Sequence, residues 1–323
     1  MSADVFQALT DAARDREPVA LGIIVGTKGS SPQKVGAKAL FYSDGRIRGT
    51  LGGGCLEAEI QKRAIDSLRT GEASTFDLLL DHDFGWDDGL ICGGKVSGVI
   101  LPNMQEHGPL WERLARRESE THWGVRRDFS VGLRSGNDPA GEWLYRECVR
   151  PPCVLWIAGA GHIARAVAPL AAQLDFDVTV FDDRPALASR EFFPENIALQ
   201  VGTWDDLCAR ELPPRPSFAL IVTRGHRHDA LVLRHWLKKP FLFLGMIGSA
   251  RKARTIFEHF IEEGIATRES LQRVACPVGI RIRSQSVPEI AVSIMAQFID
   301  KRAELVLDRG ESPPAKAELK EPA

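Results

Sequence analysis

Between an apolar run, Cys153 to Ala158, and an alanine-rich stretch that continues to about Leu174 lies the hexapeptide Gly159-Ala160-Gly161-His162-Ile163-Ala164. An uninterrupted apolar run of that length suits a strand buried on both faces, as in a parallel sheet covered by helices. The pattern Gly159-x-Gly161-x-x-Ala164 carries meaning only in this setting, where a strand turns directly into a helix. Gly159 permits the tight turn, Gly161 lets the backbone approach a phosphate, and Ala164 is small enough for the helix to pack on the sheet. The free N–H groups and the positive end of the helix then favour an anion. The next strand, Asp177 to Phe181, is followed by Asp182-Asp183-Arg184. Asp182 stands about 20 residues beyond the loop, where a carboxylate can accept from a ribose hydroxyl. Further buried strands are expected at Phe218 to Val222 and Phe241 to Leu244. The fold class is therefore α/β, with a Rossmann-like, doubly wound parallel sheet over residues 151–308.

Two more loops should reach the same crevice, because ligands of such folds sit beyond the carboxyl ends of the strands. One runs from Thr223 through Arg224, His226 and His228 to Asp229; the other is Gly245-Met246-Ile247-Gly248-Ser249, with Gly245 and Gly248 as candidate ligand contacts. Ser286-Val287-Pro288-Glu289 has the form of a capping box ahead of a last amphipathic helix. Residues 309–323, rich in Pro, Lys and Glu, read as a disordered tail.

The N-terminal portion, residues 1–105, reads as a second α/β domain. It opens with a helix from Val5 to about Arg16, then strands at Val19 to Val25 and Ala37 to Tyr42. Between these strands lies the polar loop containing Gly29, Ser30, Ser31 and Pro32. Gly52-Gly53-Gly54 precede Cys55 and a helical pattern reaching about Leu68. Three glycines in a row do not serve helix propensity; they let the backbone turn sharply or pass close to something. Cys55 then falls in the first helical turn, facing the positive end of the helix dipole. Cys92-Gly93-Gly94 repeats the pairing of cysteine with glycines before the strand Val96 to Leu101. Residues 106–150 are a connecting segment with a short charged helix and two or three amphipathic strands, and Pro151-Pro152 mark the boundary, since neither can pair inside a sheet.

Other function classes are excluded. A net charge of −2 lacks the basic excess of a nucleic-acid partner. No apolar run approaches a membrane span, and the N-terminus has no leader pattern. The six cysteines are scattered, as in a reduced cytoplasmic protein. There is no C-x-x-C zinc pair, and Cys55, Cys92 and His82 would make an improvised site. Asp81, His82, Asp83, Asp87 and Asp88 read as a solvated acidic turn. No G-x-x-x-x-G-K-[ST], G-x-S-x-G or H-E-x-x-H is present.

The combination is more specific than any part. Gly29-Ser30-Ser31-Pro32, Gly49-Thr50-Leu51-Gly52-Gly53-Gly54-Cys55-Leu56-Glu57 and Gly89-Leu90-Ile91-Cys92-Gly93-Gly94, in that order, resemble the N-terminal domain of the XdhC/CoxI family, accessory factors of xanthine dehydrogenase and related molybdenum hydroxylases. Gly159-Ala160-Gly161-His162, Val180 to Pro185, Gly245 to Ser249 and Pro288 to Ile294 resemble its Rossmann-like C-terminal domain. The chain departs from the family at Thr223-Arg224-Gly225-His226, where members carry Thr-His-Asp-His.

The resemblance implies a protein that binds molybdenum cofactor, a pterin dithiolene with a phosphate or dinucleotide tail. It would protect the cofactor, support its sulfuration and deliver it to an apo molybdenum hydroxylase of the xanthine dehydrogenase type, with a cysteine desulfurase as a candidate sulfur donor. The expected binding residues are Ser30, Ser31, Gly52, Gly53, Gly54, Cys55, Cys92, Gly93 and Gly94, with Gly159, Gly161, His162, Asp182, Gly245 and Gly248. Cys55 and Cys92 would lie near molybdenum, since soft thiolates suit that metal. Holding a mobile cofactor favours a homodimer. The rivals are an NAD(P)-dependent oxidoreductase, which the glycine loop alone would suggest, and a nucleotide-sensing regulatory protein.

Overall fold

A computed structural model describes residues 2–31, 33–80, 94–135, 138 and 140–307. The chain divides into two compact units between Pro151 and Pro152.

In the first unit, α1 (Ser2–Asp15) leads into β1 (Val19–Lys28), β2 (Lys38–Tyr42) and β3 (Ile47–Gly49). Then follow α2 (Gly54–Thr70), β4 (Ser74–Leu80) and β5 (Gly94–Leu101). The five strands form one antiparallel sheet in the order β3-β2-β1-β5-β4. β1 is central and buried on both faces, and its two-residue alternation sorts its side chains. Ala20 and Ile24 join Leu56, Ile60 and Ala64 of α2 on one side. Val19, Leu21, Ile23 and Val25 pack with Phe6 and Leu9 of α1 on the other. β4 escapes a reading of the sequence because Leu79 points outward while Phe76 and Leu78 point in.

The segment 106–150 contains α3 (Gly108–Arg116) and three strands, β6 (Thr121–Arg126), β7 (Val131–Leu133) and β8 (Trp143–Val149). These strands form a separate antiparallel sheet, β7-β6-β8. Trp111, Trp123 and Tyr145 share one core with α1, and the Trp111 and Trp123 rings meet edge to face at 5.6 Å.

An ion pair reaches into that core. Lys38 is buried, and its Nζ donates to Gly36 O at 2.8 Å, Tyr145 Oη at 3.2 Å and Glu147 Oε1 at 2.9 Å. Trp123 Nε1 donates to the other Glu147 oxygen at 2.7 Å. The ammonium also faces the rings of Phe6, Trp123 and Tyr145 at 5.3 to 5.8 Å, a favourable cation–π setting. Buried beside this carboxylate, the Tyr145 phenol is held far above its usual range, so it remains a neutral partner.

In the second unit, β9 (Cys153–Ala158), α4 (His162–Gln173) and β10 (Phe176–Asp182) open a parallel sheet. It continues through β11 (Ala198–Val201), α5 (Trp204–Ala209), β12 (Ser217–Ile221), α6 (His226–Trp236) and β13 (Phe243–Met246). α7 (Ala250–Glu262), α8 (Arg268–Gln272), β14 (Val274–Ala275) and α9 (Val287–Leu307) complete it. All strand pairs are parallel, in the order β11-β10-β9-β12-β13-β14. This is the doubly wound order of dinucleotide-binding folds, and its direction reverses between β9 and β12. α4 and α9 cover one face through Val167, Ala168, Ile294 and Phe298. α5 to α8 cover the other through Leu207, Val232, Trp236, Ile256 and Leu271. β11 and β14 lie at the sheet edges, short and only partly buried, which hides them from a search for apolar runs.

Removing one member of a buried ion pair strands the other charge. Lys38→Met should lower the unfolding free energy by about 3 kcal/mol, measured by urea denaturation, because Glu147 would keep its burial and lose its cation.

Candidate functional site

At the reversal point, β9 ends in the turn expected to hold an anion. Gly159 has φ +111°, and a side chain there would meet Val222 O at 2.4 Å and Thr223 Cα at 3.0 Å. It must be glycine twice over, for its backbone angle and for the closeness of the β12–α6 turn. Gly161 is a different case. Its φ is −76°, and a Cβ on it would meet nothing within 4 Å. The space above this turn is open, and the first N–H groups of α4 have no partner within the helix. His162, the first residue of α4, is exposed beside that space. Ala164 is fully buried in the helix–sheet interface, as its small size predicts.

Asp182, expected at a ribose hydroxyl, is instead turned inward. It is 0% exposed, and its Oδ2 accepts from Ala160 N at 2.6 Å. Arg184 supplies three more donors: its backbone N and Nε to Oδ1, at 2.9 and 2.8 Å, and Nη2 to Oδ2 at 2.9 Å. Both oxygens are fully used, so this carboxylate braces the glycine turn. Burial alone would raise its pKa, but Arg184 and the Ala160 N–H outweigh burial and hold it below the usual carboxylate range.

The neighbouring loops follow the same economy. Arg224 Nη2 lies 2.8 Å from Asp183 Oδ2 and 3.0 Å from His228 Nε2. This ion pair links the residues just after β10 and β12, the two strands that flank β9. Asp229 is buried, accepts from Thr223 N at 3.1 Å and Thr223 Oγ1 at 2.6 Å, and pairs with Lys252 Nζ. Lys252 also donates to Ile247 O at 3.2 Å and crosses Gly248, where a Cβ would lie 2.8 Å from its Cδ. Gly245 lies inside β13 and is bare for packing, since a Cβ would strike Val278 at 2.5 Å. His226 is exposed.

Sequence reasoning does not single out Lys252 or Arg184. The usable signal for Arg184 is its place directly after two aspartates. Lys252 has none, because its partner Asp229 lies on another helix.

In the first unit, Gly52, Gly53 and Gly54 have φ of +125°, +74° and +59°, a left-handed run that only glycine adopts without strain. Leu51 is buried as an anchor, Glu57 Oε1 accepts from Leu51 N at 2.8 Å, and Thr50 Oγ1 accepts from Gly52 N at 3.1 Å. A side chain at Gly53 or Gly54 would meet nothing within 4 Å, so the loop presents bare backbone ahead of the half-buried Cys55. The structure also joins two motifs distant in sequence: a Cβ on Gly94 would fall 1.9 Å from Ser30 O. Ser30 is exposed, and Ser31 donates its hydroxyl to Gln33 O at 2.8 Å. Pro32, Cys92, Gly93, the acidic turn from Asp81 to Asp88 and the tail at 309–323 lie outside the described residues.

Two stability outcomes follow. Gly159→Ala should lower the unfolding free energy by about 3 kcal/mol, combining a strained backbone with a clash, as read by denaturant unfolding. Asp182→Asn should cost a similar amount, about 3 kcal/mol, the low end for a broken pair because Arg184 is a third exposed. Since folding depresses the Asp182 pKa, its contribution is complete above the unfolded value of about 3.9 and is lost as pH falls through the folded value. Acid titration of stability should therefore be shallower in Asp182→Asn than in wild type below about pH 4.

Among the described residues, no helix is long and apolar enough to cross a membrane. Residues 12–79 match the model of the XdhC and CoxI family, and residues 155–298 match that of the XdhC Rossmann domain. The chain is similar to uncharacterized protein YqeB of Escherichia coli, 28% identical over 90% of this chain but only 45% of that protein. It is 25% identical to a protein of Bacillus subtilis named as a probable xanthine dehydrogenase subunit, covering 92% of this chain and 97% of that one. It is 27% identical to the molybdenum cofactor insertion chaperone PaoD of Escherichia coli, over 92% and 88% of the two chains. A crystal structure described as a xanthine dehydrogenase from Bacillus halodurans superposes with a TM-score of 0.77, at 25% identity, over 97% of this chain and 98% of that one. The two matched stretches fall one in each unit and together take in more than half of the residues, and the chain belongs to the XdhC and CoxI family.

Proposed function

We propose that this protein binds molybdenum cofactor as cargo and passes it to an apo molybdenum hydroxylase of the xanthine dehydrogenase type. The observation that carries the reading is the turn at Gly161, whose missing side chain leaves open space in front of the helix start, at the reversal of strand order. Such a turn is suited to an anionic tail, which the cofactor carries as a phosphate or a dinucleotide. The names of the relatives in Bacillus subtilis and Escherichia coli support the same cargo and the same kind of client.

In this reading the protein is a carrier rather than a turnover enzyme. Its first unit offers the bare backbone of Gly53 and Gly54 and the thiol of Cys55, a soft donor suited to molybdenum or its sulfido ligand. Cys92 is assigned the same role. Sulfuration of the cargo, with a cysteine desulfurase as donor, and a homodimeric carrier belong to the proposal. The nicotinamide reading is weakened by Asp182, whose four internal hydrogen bonds leave no acceptor for a ribose hydroxyl at that position.

The test is to incubate purified protein with molybdenum cofactor and measure the molybdenum retained after gel filtration. Wild type should retain it. Gly161→Ala, which adds a methyl group into open space and should leave the unfolding curve unchanged, should weaken retention about tenfold, equivalent to about 1.4 kcal/mol. Cys55→Ala should retain less than wild type. Wild-type protein that retains no molybdenum while the cofactor stays intact, or that binds NADH tightly and transfers hydride to a substrate, would refute the carrier reading.

A further inference from the structure

Cross-strand register in the β7-β6-β8 sheet brings His122 and Cys148 together, with Glu120 beside them. His122 of β6 pairs directly with Cys148 of β8, so both project to the same side. Glu120 lies just ahead of β6, and its Oε1 is 3.2 Å from His122 Nε2. The intervening and opposing residues, Thr121, Trp123 and Val149, are buried on the other side. Glu120 and His122 have side chains 42% and 41% exposed, and Cys148 is half-buried. One ligand atom from each of Glu120, His122 and Cys148 lies within 4.8 Å of the other two.

We propose that Glu120, His122 and Cys148 bind a divalent ion of the zinc class. The donor set is one imidazole nitrogen, one sulfur and one carboxylate oxygen, the mixture that selects zinc or a similar borderline ion over magnesium or calcium. The spacing agrees. His122 Nε2 and Glu120 Oε1 are 3.2 Å apart, and two such ligands on a tetrahedral zinc ion, at bonds of about 2.0–2.1 Å, lie about 3.3 Å apart.

The surrounding residues complete the case. Arg150 Nε donates to Glu120 Oε2 at 3.3 Å, which leaves Oε1 turned toward His122. Arg150 is itself tied down, since its carbonyl accepts from Arg117 Nε at 2.7 Å. A ligating carboxylate whose second oxygen is hydrogen-bonded in this way is held in orientation for the metal. The Cys148 thiol now donates to the Glu120 carboxylate. On binding, that S–H bond breaks, its proton leaves to solvent, and sulfur and carboxylate both turn to the ion. Three protein ligands leave the fourth position of a tetrahedral ion to water or to a ligand from another molecule. The site is independent of the anion turn at Gly161 and of Cys55.

The experiment uses the full chain, reduced and freed of metal, carrying Cys55→Ser and Cys92→Ser so that those thiols contribute no signal. Titration with Co(II) should saturate at one equivalent, with thiolate-to-cobalt charge-transfer absorption and the visible bands of a tetrahedral ion, and Zn(II) should displace it. Adding Cys148→Ser should abolish the charge-transfer absorption. His122→Gln and Glu120→Gln, both at exposed positions, should each weaken binding by at least about tenfold. Absence of the charge-transfer absorption in the parent would overturn the proposal. So would its persistence in Cys148→Ser, or unchanged affinity in both His122→Gln and Glu120→Gln.

Discussion

The second unit is organised around one buried carboxylate. Asp182 closes β10, accepts from Ala160 in the glycine turn, and takes three donors from Arg184. An ionised group that deep is tolerable only because each lone pair has a partner. The consequence is mechanical: the turn after β9 is fastened to the end of β10. On its other side it is pressed against Val222 and Thr223, where Gly159 leaves no room for a side chain. Held from both flanks, the turn is fixed in place ahead of the first turn of α4, with the N–H groups of Gly159 and Ala160 already bonded to Phe181 and Asp182.

The loops around it are stabilised by the same device, an acid on one element satisfied by a base on another, buried at Asp229 and part-exposed at Asp183. Asp229 joins Thr223 to Lys252, and Asp183 holds Arg224. In the first unit Lys38 and Glu147 fasten the strand β2 to β8, inside a cage of aromatic rings. Such pairs add little net stability against an apolar core, but they tie together elements distant in sequence, and losing one partner is costly.

The parts of this architecture that announce themselves in the sequence obey local rules. The apolar run at Cys153 to Ala158, the small residues of α4 and the triple glycine before Cys55 need only their neighbours to be read, and each lies where those neighbours imply. The strands β4, β11 and β14 are not legible, because outward-facing or edge strands lack a continuous apolar signal. Residue roles are harder still. Asp182 sits where a ribose-binding acid belongs by spacing, and Gly245 where a ligand-binding glycine could be, yet one is consumed by Arg184 and the other by Val278.

By itself, then, the sequence determined the doubly wound class, the position of the glycine turn after β9 and the family resemblance, because these depend on short-range patterns of hydrophobicity and glycine. Only the tertiary structure decided which polar groups remain available. Ser30 meets Gly94, Arg224 meets Asp183, and Glu120 and His122 meet Cys148 through strand register and loop contacts that no spacing encodes. Whether a carboxylate is a ligand or a brace depends on which donors the fold brings within hydrogen-bonding reach, and those donors come from distant parts of the chain.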